Sequence, residues 1–268
     1  MPGSSSPPKV TTAPIAPAPM SVACTPMAAL TGPVMAKEIG FYTVEIHAAH
    51  GFLLDEFFWD GTNQRRDRWG GKTLAERSRF IVEIIRAVRA VLAKEAPLFL
   101  RVSQWKEQDY GVKLANSPAE IEAWLTPMLD AGVDVLDCSQ RRFWEAEFPG
   151  SDLNFAGWVK KVTGATVITT GSVGLSTDVM SFFHGETAER RPLDELVRRL
   201  EAEEFDLVAV GRVLLDDPQW IVKIREGREH EMADLKPEQI MSWVLPGKIT
   251  GRSDITGKYK FLERGELR

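Results

Sequence analysis

Two cysteines, three tyrosines and four histidines are all that this 268-residue chain has of those residue types, and each scarcity excludes something. Cys24 and Cys138 cannot make a disulfide framework, and no neighbouring motif marks either thiol for redox work. No apolar run approaches the about 20 residues needed to cross a bilayer. The opening Met-Pro-Gly-Ser-Ser-Ser-Pro-Pro-Lys lacks the charged-then-apolar order of a secretory signal, which argues against export. Charge of one sign is also lacking: a net charge of −5 makes nucleic acid and anionic membranes poor partners. The expectation is a cytoplasmic protein with one large α/β domain, without internal repeats or coiled-coil heptads.

Half of the 16 prolines stand before residue 35, mixed with Ser, Thr and Ala. Such a segment buries little apolar area, so residues 1–35 read as a flexible leader. Between 36 and 230, short Val, Ile and Leu runs alternate with longer amphipathic stretches, the pattern of β-α units with a parallel sheet. The predicted strands are 43–46, 98–102, 133–138, 166–170 and 206–210; the predicted helices are 73–93, 118–131, 154–162 and 193–203. Residues 231–268 read as a short helix beginning at Pro237 and a Gly-, Lys- and Arg-rich tail.

The most informative stretch is Val44-Glu45-Ile46-His47-Ala48-Ala49-His50-Gly51-Phe52, an apolar run ending in two histidines. Placed just past the carboxyl end of a parallel strand, His47 and His50 would stand where α/β folds keep their chemistry. The other predicted strands end in polar or small residues as well: Arg101 and Ser103, Ser139, Gly171 and Ser172, Gly211 and Arg212. Glycines let backbone N–H groups approach an anion, and an arginine offers a planar fork to its oxygens, so the last two loops suit a phosphate. The plainer role of each glycine is to turn the chain. A metal-binding His-x-x-His is the alternative for the histidines, but no carboxylate or cysteine cluster completes a ligand set, and no metal site is expected.

Five blocks in order, His47-Ala-Ala-His50-Gly-Phe-Leu-Leu54, Asn63-Gln-Arg-Arg-Asp-Arg-Trp-Gly-Gly71, Leu100-Arg-Val-Ser103, Gly171-Ser-Val173 and Leu207-Val-Ala-Val-Gly-Arg212, resemble the old yellow enzyme family of FMN-dependent oxidoreductases. The resemblance covers about residues 36–228. It implies a (β/α)8 TIM-barrel fold of which about five β-α units are evident here, with FMN as cofactor and NADH or NADPH as reductant. It also implies hydride delivery to a small-molecule activated alkene or quinone-like acceptor. By the same resemblance His47 and His50 hydrogen-bond the substrate carbonyl oxygen, Arg101 stands beside the flavin, and Gly171, Ser172, Gly211 and Arg212 hold its phosphate. A structural ion pair is the other role open to Arg101.

Two departures from the family stand out. Phe52 occupies the place of a tyrosine whose hydroxyl protonates the substrate, and phenylalanine has no proton to give. Another donor, solvent, or a reaction that dispenses with the step would have to serve. Tyr110 is a candidate substitute donor, though an aromatic cover over the site is its other reading. Second, the family's first β-α units, which supply further flavin contacts, are not recognisable before His47. Five strands of eight leave open edges, and exposed edges invite association. A second copy in a homo-oligomer, a complementing chain, or the leader and tail would cover them; a non-catalytic or partner-dependent barrel fragment is the alternative function.

Phe52, Trp105 and Trp144 are expected to wall a substrate pocket, aromatic packing being their other role. Residues 63–71, mixed in charge, read as a structured loop rather than a basic patch. The charged start at 190–199 reads as a solvated face.

Overall fold

A computed structural model describes residues 31–244. The expectations for the leader before residue 31, for Cys24 and for the tail beyond 244 lie outside the described residues. Five parallel strands form one sheet: β1 (Val44–His50), β2 (Leu98–Lys106), β3 (Val135–Ser139), β4 (Thr166–Thr170) and β5 (Leu207–Ala209). Their order is β1-β2-β3-β4-β5, each strand beside its predecessor in the chain. A doubly wound sheet reverses its strand order at a switch point, whereas a (β/α)8 barrel does not. The consecutive order is that of part of a (β/α)8 barrel, with β1 and β5 at the edges among the described residues.

Alternation sorts the two faces. Ile46, Ala48, Leu98, Leu100, Val102, Leu136, Cys138 and Val167 are buried and form the apolar side of the core. Burial pushes the free Cys138 thiol well above its usual range, leaving it protonated. On the other face the register aligns His47 with Arg101 and Arg101 with Asp137. The polar residues of the strands therefore meet across neighbouring strands.

The chain divides into two compact units. The first holds the sheet, within residues 1–171 and 195–209. Its helices are α1 (Thr31–Glu38), α2 (Leu53–Phe58), α3 (Leu74–Arg77), α4 (Arg79–Val91), α5 (Pro118–Asp130), α6 (Phe155–Thr163) and most of α8 (Asp194–Glu201). Their ends follow local chemistry. Ser117 caps α5 by accepting from the Glu120 N–H, with Pro118 in its first turn, and Asn154 caps α6 by accepting from the Gly157 N–H at 2.8 Å. Gly164 closes α6 at φ +66°, a conformation glycine adopts without cost. The second unit, within 172–194 and 210–268, holds α7 (Val179–Phe183), α9 (Arg212–Asp216), α10 (Trp220–Arg225) and α11 (Pro237–Val244).

Several sequence expectations shift. Helix α1 runs across the expected 35/36 boundary, since Pro33 sits in its first turn, where the missing N–H is no loss. The single helix expected over 73–93 breaks at Ser78, whose hydroxyl bonds back to Leu74 O at 2.8 Å. The 190–199 segment is not wholly a solvated face: Leu196 and Arg199 of α8 are buried, and Arg199 is paired with Glu195 and Glu204, each at 2.7 Å.

Candidate active site

Strand β1 continues through the histidine pair, so His47 and His50 lie on its last turn of pleat rather than past its end. The hydrogen-bonding ladder carries on, but slips between Ala48 and His50, where His50 pairs with Lys106. His50 takes a positive φ of +65° and Gly51 follows at +84°. A left-handed histidine is uncommon and needs support from its surroundings. Support comes from four directions: His50 N–H donates to Ser103 Oγ at 2.8 Å, His50 O accepts from Glu107 N–H at 3.0 Å, and the Gly51 N–H donates to Asp55 Oδ2 at 2.6 Å. The fourth is ring stacking on Trp105, centroids 4.6 Å apart. The φ of +84° at Gly51 favours glycine, and a Cβ there would also displace the Gln108 side-chain amide.

Behind this turn lies an ion pair that the sequence reading missed. Lys106 Nζ stands 2.6 Å from Asp55 Oδ2, with both side chains fully buried. Burial pushes the Asp55 carboxyl up to about 6 against the opposing pull of Lys106, and the same burial lowers Lys106. The pair ties α2 to the end of β2 and holds the Gly51 N–H in place.

The imidazoles face each other with ring centroids 5.2 Å apart. Burial holds His50 down at about 3, helped by the positive charges of His47, Arg101 and Lys106; burial first, then Arg101, lowers His47. Both shifts favour the neutral ring. His50 Nε2 is 2.7 Å from Ser139 Oγ at the end of β3. Phe52, half exposed, sets its ring edge against His47 at 5.2 Å. Tyr110 packs edge-on to Trp105 at 5.1 Å with the Arg141 guanidinium 4.2 Å above it, and its hydroxyl oxygen is buried. Trp144 packs edge-on against Phe143, itself buried in the core.

Arg101 is the neighbour of His47 in register, and it makes an ion pair. Its Nε and Nη2 donate to Asp137 Oδ2 at 2.9 and 2.6 Å, and Nε lies 3.3 Å from Glu45 Oε1. Thr170 donates to the other Asp137 oxygen at 2.6 Å. Glu45 is pushed up to about 7 by burial, with the Arg101 charge opposing and the Asp137 carboxylate adding to the rise. The structural role that the sequence left open for Arg101 is thus present, while its Nη1 enters none of these bonds. Asp137 and Glu45 were not singled out in the sequence; only the strand register reveals them.

Gly171 closes the first unit's loop after β4, where a Cβ would meet Gln140 O at 2.5 Å. Ser172, Gly211 and Arg212 belong to the second unit. There, Arg212 at the start of α9 donates to Thr177 O at 2.7 Å, Asp178 O at 3.2 Å and Ser172 Oγ at 3.3 Å. Ser172 adopts φ +52°, and a Cβ on Gly211 would meet nothing within 4 Å. Ser172 and Arg212 are brought together, beside open space at Gly211. Among the described residues no group of three or more His, Cys, Asp or Glu could hold a metal ion, and no helix is long and apolar enough to cross a membrane.

Residues 33–231 match the model of the NADH:flavin oxidoreductase / NADH oxidase family. NADPH dehydrogenase of Bacillus subtilis is 38% identical over 186 residues, 68% of this chain and 48% of that protein. NADPH dehydrogenase of Bacillus cytotoxicus is 34% identical over 223 residues, 82% of this chain and 56% of that protein. Morphinone reductase, solved in complex with tetrahydroNAD, shares the fold at a TM-score of 0.58 and 23% identity, covering 76% of this chain and 48% of that one. The chain spans about half the length of the curated relatives it matches. By the extent and order of the match, the chain belongs to the NADH:flavin oxidoreductase / NADH oxidase family.

Proposed function

We propose that this chain carries the substrate-carbonyl and phosphate-binding part of an FMN-dependent NAD(P)H oxidoreductase acting on an activated alkene or quinone-like acceptor. The observation that carries the reading is the pair of imidazoles at the end of β1, ring centroids 5.2 Å apart, in surroundings that disfavour their charged forms. Bound FMN would supply hydride exchange between NAD(P)H and the acceptor. His47 and His50 would each present a ring N–H to the acceptor's carbonyl oxygen and stabilise the negative charge developing there. A neutral ring keeps its second nitrogen available as an acceptor, and for His50 that nitrogen is Nε2: a proton donated by Ser139 Oγ would fix the Nδ1–H tautomer and leave Nδ1–H for the substrate.

The residues present fit part of the cofactor. In the first unit Arg101 keeps Nη1 for the flavin; the second unit, taken by itself, offers a phosphate open space at Gly211 next to Ser172 and Arg212. Phe52 and Trp105 would flank the acceptor next to the histidines, Tyr110 would buttress Trp105, and Trp144 would wall the rim after β3. In this reading residues 36–230 form the working domain, followed by the C-terminal helix.

A second reading is a half-barrel that binds flavin only together with a complementing chain. It is favoured by the engagement of Arg101 with two carboxylates and by the exposed Met35, Ile39, Phe41 and Tyr42 next to the β1 edge. The visible spectrum of the full chain after FMN loading and desalting separates the two: close to one flavin per chain supports the first reading, and none supports the second. With flavin retained, replacing His47 and His50 together by Ala should lower enone turnover by at least about 100-fold, as loss of a preorganised donor to a developing oxyanion does. Unchanged turnover would remove the role assigned to them.

A further inference from the structure

The loop 59–73, which leaves the carboxyl end of β1 by way of α2, encloses a cavity of about 620 Å³ that the flavin reading does not use. Five of its lining side chains are cations: Arg65, Arg66, Lys72, Arg77 and Arg79. The two acids that line it are Asp60 and Asp67, and the remaining positions are two amides and two glycines. No aliphatic or aromatic side chain lines it. Pockets for drug-like or aromatic ligands are mostly apolar, so this composition selects against them.

The cations are not used equally by the fold. Arg65 is buried and paired with Asp67, Nε to Oδ1 at 3.0 Å. Arg77 is buried and donates to Phe58 O at 2.6 Å and Lys72 O at 3.0 Å, which ties the loop to the end of α3. Arg79 reaches Glu76 Oε1 at 3.6 Å. Arg66 and Lys72 are exposed, and their side chains have no hydrogen-bond or ion-pair partner among the described residues. The buried arginines and Asp67 give it its shape, and the two remaining cations add charge to the cavity without serving the fold.

We propose that this cavity is a binding site for a small hydrophilic phosphate anion carrying at least two negative charges. Arg66 offers a fork for its oxygens, Lys72 a mobile ammonium, and Arg79 a third positive charge; the excess of three cations over acids matches such an anion. A free diphosphate and a phosphate monoester carried on a nucleotide ribose share this chemistry.

The site is tested by calorimetric titration of the full chain with inorganic pyrophosphate, and with adenosine 2′-monophosphate against adenosine. No flavin or turnover is needed, so the outcome is independent of the proposed activity. The double variant Arg66→Ala/Lys72→Ala should bind pyrophosphate at least about tenfold more weakly, with an unchanged melting temperature, because neither side chain holds the loop. A second double variant, Arg86→Ala/Lys94→Ala, removes the same charge from exposed positions elsewhere in this unit and should bind as the parent does. Adenosine 2′-monophosphate that competes with pyrophosphate would support the site with a nucleotide-borne source; pyrophosphate binding without that competition would support it with a free diphosphate. Absence of pyrophosphate binding at millimolar concentration, or equal weakening in both double variants, overturns the proposal.

Discussion

Replacing Lys106 by Met tests what the buried pair does for the turn that carries His50. Both partners are fully buried at 2.6 Å, and Asp55 Oδ1 has no hydrogen-bond partner among the described residues, so its carboxylate depends on Lys106 and the Gly51 N–H. Breaking a pair of this kind by removing one member costs about 3–5 kcal/mol, because the other charge stays buried. At roughly 2–4 °C per kcal/mol for a chain of this size, the melting temperature should fall by roughly 6–20 °C. The double variant Lys106→Met/Asp55→Asn removes both charges and keeps an acceptor for Gly51, and should recover to within about 1–2 kcal/mol of the parent. The deficit also has a pH signature. Asp55 is already raised to about 6 with the lysine beside it, and without that charge it rises further. The folded variant then holds a proton that the unfolded chain releases, so its stability falls as pH increases from about 4 through the raised value, and the loss relative to the parent shrinks between pH 7 and pH 5. Urea denaturation followed by tryptophan fluorescence at both pH values reads all of this. A Lys106→Met variant within about 1 kcal/mol of the parent, or a double variant no better than the single, would refute the assignment.

Two further outcomes are expected. Phe52→Tyr places a hydroxyl on a half-exposed ring whose edge already meets His47, and should raise enone turnover of the flavin-loaded chain by at least about tenfold if proton delivery limits it; no gain would show that protonation is not the bottleneck. Glu45, raised from 4.5 to about 7 mainly by burial, binds a proton in the folded chain that the unfolded chain has released, so its contribution to stability falls as pH rises from about 4.5 to 7. Glu45→Gln should flatten that stretch of the stability curve by about 1–2 kcal/mol after allowance for its partial solvent access, and parallel curves for variant and parent would contradict it.

How far the sequence reaches depends on the range of the interaction concerned. The strands were legible because burial on the apolar face demands runs such as Leu98–Val102, and the expected Thr166–Thr170 strand is the observed β4. The run of β2 beyond Val102 was not, since Ser103-Gln104-Trp105-Lys106 carries no strand-like pattern; it is paired because His50 across the ladder continues too. The histidines could be found from their place at a strand end, but not their conformation, which four contacts from Ser103, Glu107, Asp55 and Trp105 impose.

Partnerships across strands were the least legible. Asp137 faces Arg101 only once the register of β2 and β3 is set, and a one-residue slip would turn the carboxylate to the apolar side. Asp55 and Lys106 meet across 51 positions of chain, each in a segment otherwise read as apolar or irregular. These two acid–base pairs nevertheless contribute, after burial, to the electrostatics of the site. Lys106 and Arg101 both disfavour a charged His50, while the carboxylates that accompany them are spent on the cations themselves. Burial is the main reason both rings disfavour a charge, and the Arg101 charge adds to it at each histidine, while Asp137 pulls the other way at His47. The placing of Arg101 and Asp137 beside His47 follows from the register of three strands, not from the motif that first drew notice to the histidines.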